Sequence, residues 1–206
     1  MLMMQTNQIH EKRANCYKLL SLCFYQPDAE ISAIIKALRN EVDYFSQQAV
    51  FKLDEILVEL EEHKENLNYF LIDYGKLFVG PFNLLAAPYS SVYLGHERRV
   101  MGDSTIEATN FYQKAGLVIN NDLKDAPDHI KVELEFMQYL IMKSISIGEE
   151  EFLKLQKEFL FNHLSLWITD FKKAVTTNSR TILYKNLLEV THMFISQDEQ
   201  FLSEKI

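Results

Sequence analysis

The sequence predicts an all-α fold: a single irregular bundle of about eight to ten helices, with a long ordered loop near residues 79–103. Three observations carry this. Apolar residues recur at steps of three and four almost everywhere outside the loop, and no stretch alternates long enough for a strand. Two of the four prolines and three of the six glycines crowd into residues 77–105, where they stop helices and fix turns. The chain reads as one all-helical domain over 1–206, with room for two sub-halves joined near 117–127.

The elements follow in order. Residues 8–25 carry Ala14, Tyr17, Leu20 and Phe24 on one face and end before Pro27. Residues 28–39 turn Ile31, Ile34, Ile35 and Leu38 inward. Residues 48–63 set Val50, Leu53, Leu57 and Leu60 against Asp54, Glu55, Glu59 and Glu62. A helix over 65–78 is stopped by Gly80-Pro81. After the loop, Ser104 with Glu107 three residues on forms a candidate capping box, and that helix ends near Gly116. Asp125-Ala126-Pro127-Asp128 is expected to open the next helix, with its proline in the first turn and its acids at the positive end of the dipole. This helix buries Ile130, Leu134, Met137 and Ile141, and Gly148 closes it. Residues 153–175 and 181–202 supply the remaining helices.

Composition excludes several function classes. The chain has 206 residues, 48% of them apolar, and a net charge of −8 from 29 acids against 21 lysines and arginines. That balance disfavours nucleic-acid binding, which needs a basic footprint. An acidic surface suits a cationic peptide, and equally serves solubility. Cys16 and Cys23 lie two helical turns apart, about 10.5 Å along the axis, too far for a disulfide. They are expected to be buried, in a reducing compartment. No secretory leader and no run of about 20 apolar residues occurs, so direct membrane insertion is not expected and the predicted location is cytoplasmic.

Catalytic chemistry has little to stand on. Glu189 and His192 show the Glu-x-x-His spacing of di-iron bundles, which such sites need twice. His129 and Glu133 stand one turn apart and could share a metal or a hydrogen bond. No phosphate loop, no Gly-x-Gly-x-x-Gly and no nucleophile elbow is present. No metal, cofactor or catalytic residue is therefore assigned. Arg98-Arg99 is an internal basic pair with no apolar segment after it, hence no export signal. Asp128-His129 reads either as a plain cap with an exposed imidazole or as a functional pair whose histidine is held neutral by the dipole. Trp167 reads as core.

The loop is the sequence's best binding candidate, because ordered loops that keep aromatics near the surface tend to bind. Its segments, Leu77-Phe78-Val79-Gly80-Pro81, Pro88-Tyr89-Ser90-Ser91-Val92-Tyr93-Leu94 and Gly102-Asp103-Ser104-Thr105, resemble in order and spacing those of the TorD/DmsD family of redox-enzyme maturation chaperones, DmsD type. Pro127-Asp128-His129 is similar to the family's proline–acid–Asp-His motif, displaced by one place. His163-Leu164, Trp167 and Phe171 match a further pattern, and Leu22 to Pro27 looks like the end of the family's first helix.

This resemblance implies a cytoplasmic chaperone, not an enzyme. Its partners would be the twin-arginine signal peptide and the apo form of a molybdoenzyme of the dimethyl sulfoxide or trimethylamine N-oxide reductase type. It would assist cofactor insertion before export by the Tat pathway. The peptide contacts implied are Leu77, Phe78, Phe82, Pro88, Tyr89, Tyr93, Gly102, Asp128 and His129. Phe82, Tyr89 and Tyr93 stand where close relatives of the DmsD type carry tryptophan, so the groove has its own shape and the client stays open. A nucleotide-assisted chaperone and a metal-dependent bundle enzyme are the alternatives. The family includes both monomers and domain-swapped dimers.

Overall fold

The computed structural model describes residues 2–80, 84–95, 98–120, 125–147 and 150–204, with side chains from residue 7 onward. Within them lie ten α-helices: α1 (Leu2–Cys23), α2 (Ile31–Val42), α3 (Gln47–Glu62), α4 (Asn68–Tyr74), α5 (Ser90–Leu94), α6 (Asp103–Lys114), α7 (Ile130–Ile147), α8 (Glu150–Phe159), α9 (Ser165–Asn178) and α10 (Ile182–Ser203). The fold is all-α, as the periodicity predicts; among the described residues there is no strand, only a single isolated bridge. No helix among them is long and apolar enough to cross a membrane.

The apolar stripes meet in one continuous core. α1 packs along α7 and α2, α10 along α3 and α9, and α8 closes against α7. Ile35 and Leu38 of α2, Leu53 of α3, and Ile130, Leu134, Met137 and Ile141 of α7 are fully buried. So is Trp167 of α9. Cys16 and Cys23 are buried and unpaired.

Buried polar groups fix the packing. Arg13 of α1 is fully buried and pairs in bidentate fashion with Asp198 of α10, while the Tyr17 hydroxyl donates to Asp198 Oδ2 at 2.8 Å. Arg13 also donates to Gln156 Oε1 of α8 at 3.1 Å, so one guanidinium ties three helices. The N-terminus of α10 is capped from afar. Glu59 of α3 accepts the Ile182 and Leu183 amides at 2.9 and 2.7 Å, and Asp73 of α4 accepts the Thr181 amide at 3.0 Å. Two carboxylates thus satisfy the donors that a helix start leaves open and complement its dipole.

Several boundaries differ from the sequence expectation. The loop is broken by the short α5. Residues 153–175 divide at a π turn, Leu160–Leu164, and α4 likewise runs into one at Gly75–Val79. α6 begins at Asp103 with Gly102 as N-cap and no side-chain cap, so the Ser104–Glu107 capping box does not form. Ser104 is buried instead and its hydroxyl accepts from Ser90 Oγ at 3.3 Å. α6 ends as expected: Gly116 takes φ +76°, and the amides of Gly116 and Leu117 return to the Gln113 and Tyr112 carbonyls. Pro127 precedes α7 rather than entering its first turn, because the chain first makes a bridge at His129. Gly148, the expected stop, and residues 121–124 of the expected joint lie outside the described residues.

Candidate functional site

The loop is pinned by the approach to α7. The Ser90 amide donates to the Asp128 carbonyl at 3.0 Å and the Ile130 amide to the Pro88 carbonyl at 2.8 Å, an antiparallel bridge between Tyr89 and His129. Proline suits this edge, where only its carbonyl is asked for. The Tyr89 and His129 rings meet edge to face at 5.0 Å.

Asp128 and His129 divide the capping work in an unexpected way. Asp128 Oδ2 accepts the Ser91 amide at 2.9 Å, so it caps α5 and not the helix that follows it. His129 caps α7, its Nδ1 accepting the Lys131 amide at 3.1 Å. That bond requires an unprotonated Nδ1. Burial, reinforced by the Lys131 charge, lowers the His129 pKa to about 4 against the pull of Asp125 and Asp128. The imidazole is 4% exposed, so the plain exposed cap is ruled out. Burial is the first cause of the lowered pKa, ahead of the Lys131 charge.

Beneath α5 lies a buried polar cluster. Glu133 of α7 accepts from His163 Nε2 at 2.8 Å and from the Trp167 indole at 3.0 Å. His163 Nε2 also meets Ser90 Oγ at 3.3 Å. Burial raises the Glu133 pKa, and the neighbouring carboxylate raises His163 although burial alone would lower it. The trio has the residue types of a Ser–His–acid triad but not its geometry. Serine and carboxylate share one ring nitrogen, and Ser90 is fully buried.

Between the loop and α9 opens a groove of about 430 Å³. Its wall on the loop side is Leu85, Val92, Tyr93 and Arg98; α9 contributes Asp170, Lys173 and Ala174. Tyr93 lies over Trp167, ring centroids 5.6 Å apart and nearly parallel, and against Phe171 at 5.9 Å. A second cavity of about 430 Å³ lies between α1, α6 and α7, with Leu22, Tyr112, Phe136 and Tyr139 in its walls.

The residues singled out in the sequence therefore fall into two groups. Tyr89, Tyr93 and Gly102 are partly open to solvent, whereas Leu77, Phe78, Pro88, Asp128 and His129 are buried. Phe78 packs on Phe171 at 6.1 Å, beneath Tyr93. Leu77 receives the Ala86 amide on its carbonyl at 3.0 Å and so folds the loop back on itself. A Cβ on Gly102 would meet Ser91 Cβ at 3.5 Å, ordinary contact, so packing there does not demand glycine. Phe82 lies outside the described residues.

The groove residues Arg98 and Asp170 were not singled out as a site by sequence reasoning; Glu133 was considered only as a partner of His129, and His163 only as part of a family pattern. Glu133 does leave a trace: it sits on the buried stripe of α7 beside Ile130 and Leu134, where a charge needs buried partners. The other candidate ligands go elsewhere. Glu133 turns to His163 rather than to His129, Glu189 pairs with Lys172 at 3.5 Å, and His192 meets Thr169 at 3.2 Å. No cluster of three or more metal-ligating side chains forms among the described residues.

With this geometry, comparison with known proteins is decisive. The family description "Nitrate reductase delta subunit" matches residues 39–173, from the last turn of α2 into α9, a stretch that contains the loop, the cluster and most of the groove's lining. The chain belongs to the nitrate reductase delta subunit family. Within this family it is similar to chaperone protein TorD of Vibrio cholerae serotype O1 (strain M66-2), 25% identical over 219 residues that cover 100% of this chain and 98% of that one. TorD of Vibrio atlanticus is 26% identical, covering 98% of this chain and 99% of its own. A proposed redox enzyme maturation protein from Archaeoglobus fulgidus shares the fold, with a TM-score of 0.57 at 24% identity over 89% of this chain and 93% of that one. This delta-subunit family member stands among chaperones, not enzymes.

Proposed function

We propose that this protein is a cytoplasmic chaperone of molybdoenzyme maturation that binds the twin-arginine signal peptide of its client and holds it until the cofactor is in place. The full-length similarity to TorD chaperones supports the maturation role. The observation that carries peptide binding is the pinned loop: Tyr93, braced on Trp167, stands partly buried at a groove whose walls combine Leu85, Val92 and Ala174 with the charged Arg98, Asp170 and Lys173. A signal peptide offers an arginine pair followed by an apolar, helix-prone segment. Aromatic and aliphatic walls suit the second part; for the first, Asp170 offers a carboxylate and the net charge of −8 steers a cation toward the protein, against the like charges of Arg98 and Lys173 in the same walls. The continuous core supports reading the chain as a single domain.

Calorimetric titration with a synthetic twin-arginine signal peptide, beside a version with both arginines replaced by alanine, tests this reading. Binding of the first at least about tenfold tighter than the second is expected, the worth of one charge-assisted contact. Equal binding of both, or none, contradicts it.

A further inference from the structure

Glu133 is a carboxylate in the apolar stripe of α7, fully buried, and each of its oxygens has one task. Oε1 takes the His163 Nε2 donor at 2.8 Å and Oε2 the Trp167 indole donor at 3.0 Å. Both partners are themselves fully buried. From them the chain of contacts runs to the two ends of α5. His163 reaches Ser90 Oγ at the first residue, at 3.3 Å, and Trp167 carries the Tyr93 ring near the last, at 5.6 Å and 21° from parallel. A helix of five residues has no stability of its own, so its orientation is set by what holds it. Asp128 holds the Ser90 and Ser91 amides, Ser104 accepts from the Ser90 hydroxyl and Phe171 lies against Tyr93, while the His163 and Trp167 rings link the two ends of α5 to one carboxylate.

We propose that Glu133 is a positioning residue for peptide binding: without touching the peptide, it fixes the tilt of α5 through His163 and Trp167 and so sets the Tyr93 ring at the mouth of the groove. The proposal rests on the peptide-binding reading above, and one of its two tests is independent of that reading.

The substitution Glu133→Gln keeps shape and volume but leaves one acceptor for two donors, so one ring must lose its partner or change tautomer. The first test is amide hydrogen exchange of the whole protein. Exchange within residues 91–94 is expected to speed up by about tenfold relative to α10, the response of a locally stabilised unit. Uniform acceleration, or none, overturns the proposal.

The second test is a mutant cycle read in affinity for the twin-arginine peptide. Glu133→Gln is expected to weaken binding about tenfold alone, but less than about threefold in a Tyr93→Ala background, the coupling of residues in one network. Equal losses in both backgrounds overturn it. If Glu133→Gln fails to fold, Trp167→Phe, which removes the indole donor and keeps a ring beneath Tyr93, carries the same two expectations. Failure of the wild-type protein to bind the peptide sinks the peptide reading itself. Binding without coupling sinks only the role of Glu133.

Discussion

The Ser91 amide donates to Asp128 Oδ2 at 2.9 Å across 37 residues of sequence. Through this bond the residue that leads into α7 caps a different helix, α5, within the loop. The bridge at Tyr89 and His129 lies directly beside it. The loop is therefore a braced element whose partly buried rings, Tyr89 and Tyr93, keep fixed places.

Removal of that brace has a defined cost. Asp128→Ala leaves the Ser91 amide buried without a partner and is expected to cost about 1–3 kcal/mol. Asp128→Asn retains an oxygen acceptor and is expected to cost less than half of that. Urea unfolding of the two variants checks the order as well as the size.

Acid sensitivity follows from His129. The folded protein keeps this imidazole neutral down to about 4, whereas the unfolded chain protonates it below 6.5. Its contribution is therefore complete above 6.5 and is lost as pH falls toward 4, to a total of about 3 kcal/mol. His163 acts with the opposite sign: its raised pKa gives stability that is present below 6.5 and declines as pH rises through the folded value. His129→Asn preserves an acceptor near Nδ1 but cannot titrate. Unfolding curves across the acid range are expected to flatten in this variant while the high-pH limb is unchanged.

The buried Arg13–Asp198 pair predicts an asymmetry. Asp198→Ala strands a guanidinium in the core and is expected to cost about 3–5 kcal/mol. The double variant Arg13→Met, Asp198→Leu removes both charges and is expected to recover part of that loss. Denaturation midpoints of the single and double variants test it.

Cysteine reactivity provides a simple check on the core. Burial pushes the Cys23 thiol up to about 12 and raises Cys16 as well. Neither thiol is expected to react with an aromatic disulfide reagent in the folded protein at neutral pH, and both are expected to react in denaturant.

Much of the fold was legible because it is written in local periodicity. The stripes of α2, α3 and α7 bury most of the residues their spacing selects, and Gly116 ends α6 through its left-handed backbone. Ile34 and Leu57 stay partly buried, and Glu59, expected on the charged face of α3, is buried because it caps α10. What was not legible is non-local. α5 is too short to show a period and draws its cap from Asp128, far along the chain. Ser104 has the spacing of a capping box, yet a buried hydroxyl partner, Ser90, takes it instead. The same holds for the site. Tyr89 and Tyr93 stand out in sequence as aromatics in a loop, but the Glu133 network joins three separate segments, around Ser90, Glu133 and His163–Trp167, that only the fold brings together.

The central claim is that the groove beside Tyr93 receives the client's signal peptide. Photo-cross-linking tests it most directly, with a benzophenone amino acid placed at position 93 in one protein and at the exposed Val58 of α3 in another. The account predicts an adduct with a twin-arginine signal peptide from position 93 and none from position 58, with competition by unlabelled peptide. Cross-linking from position 58 alone, or from neither position while the peptide still binds, would contradict it.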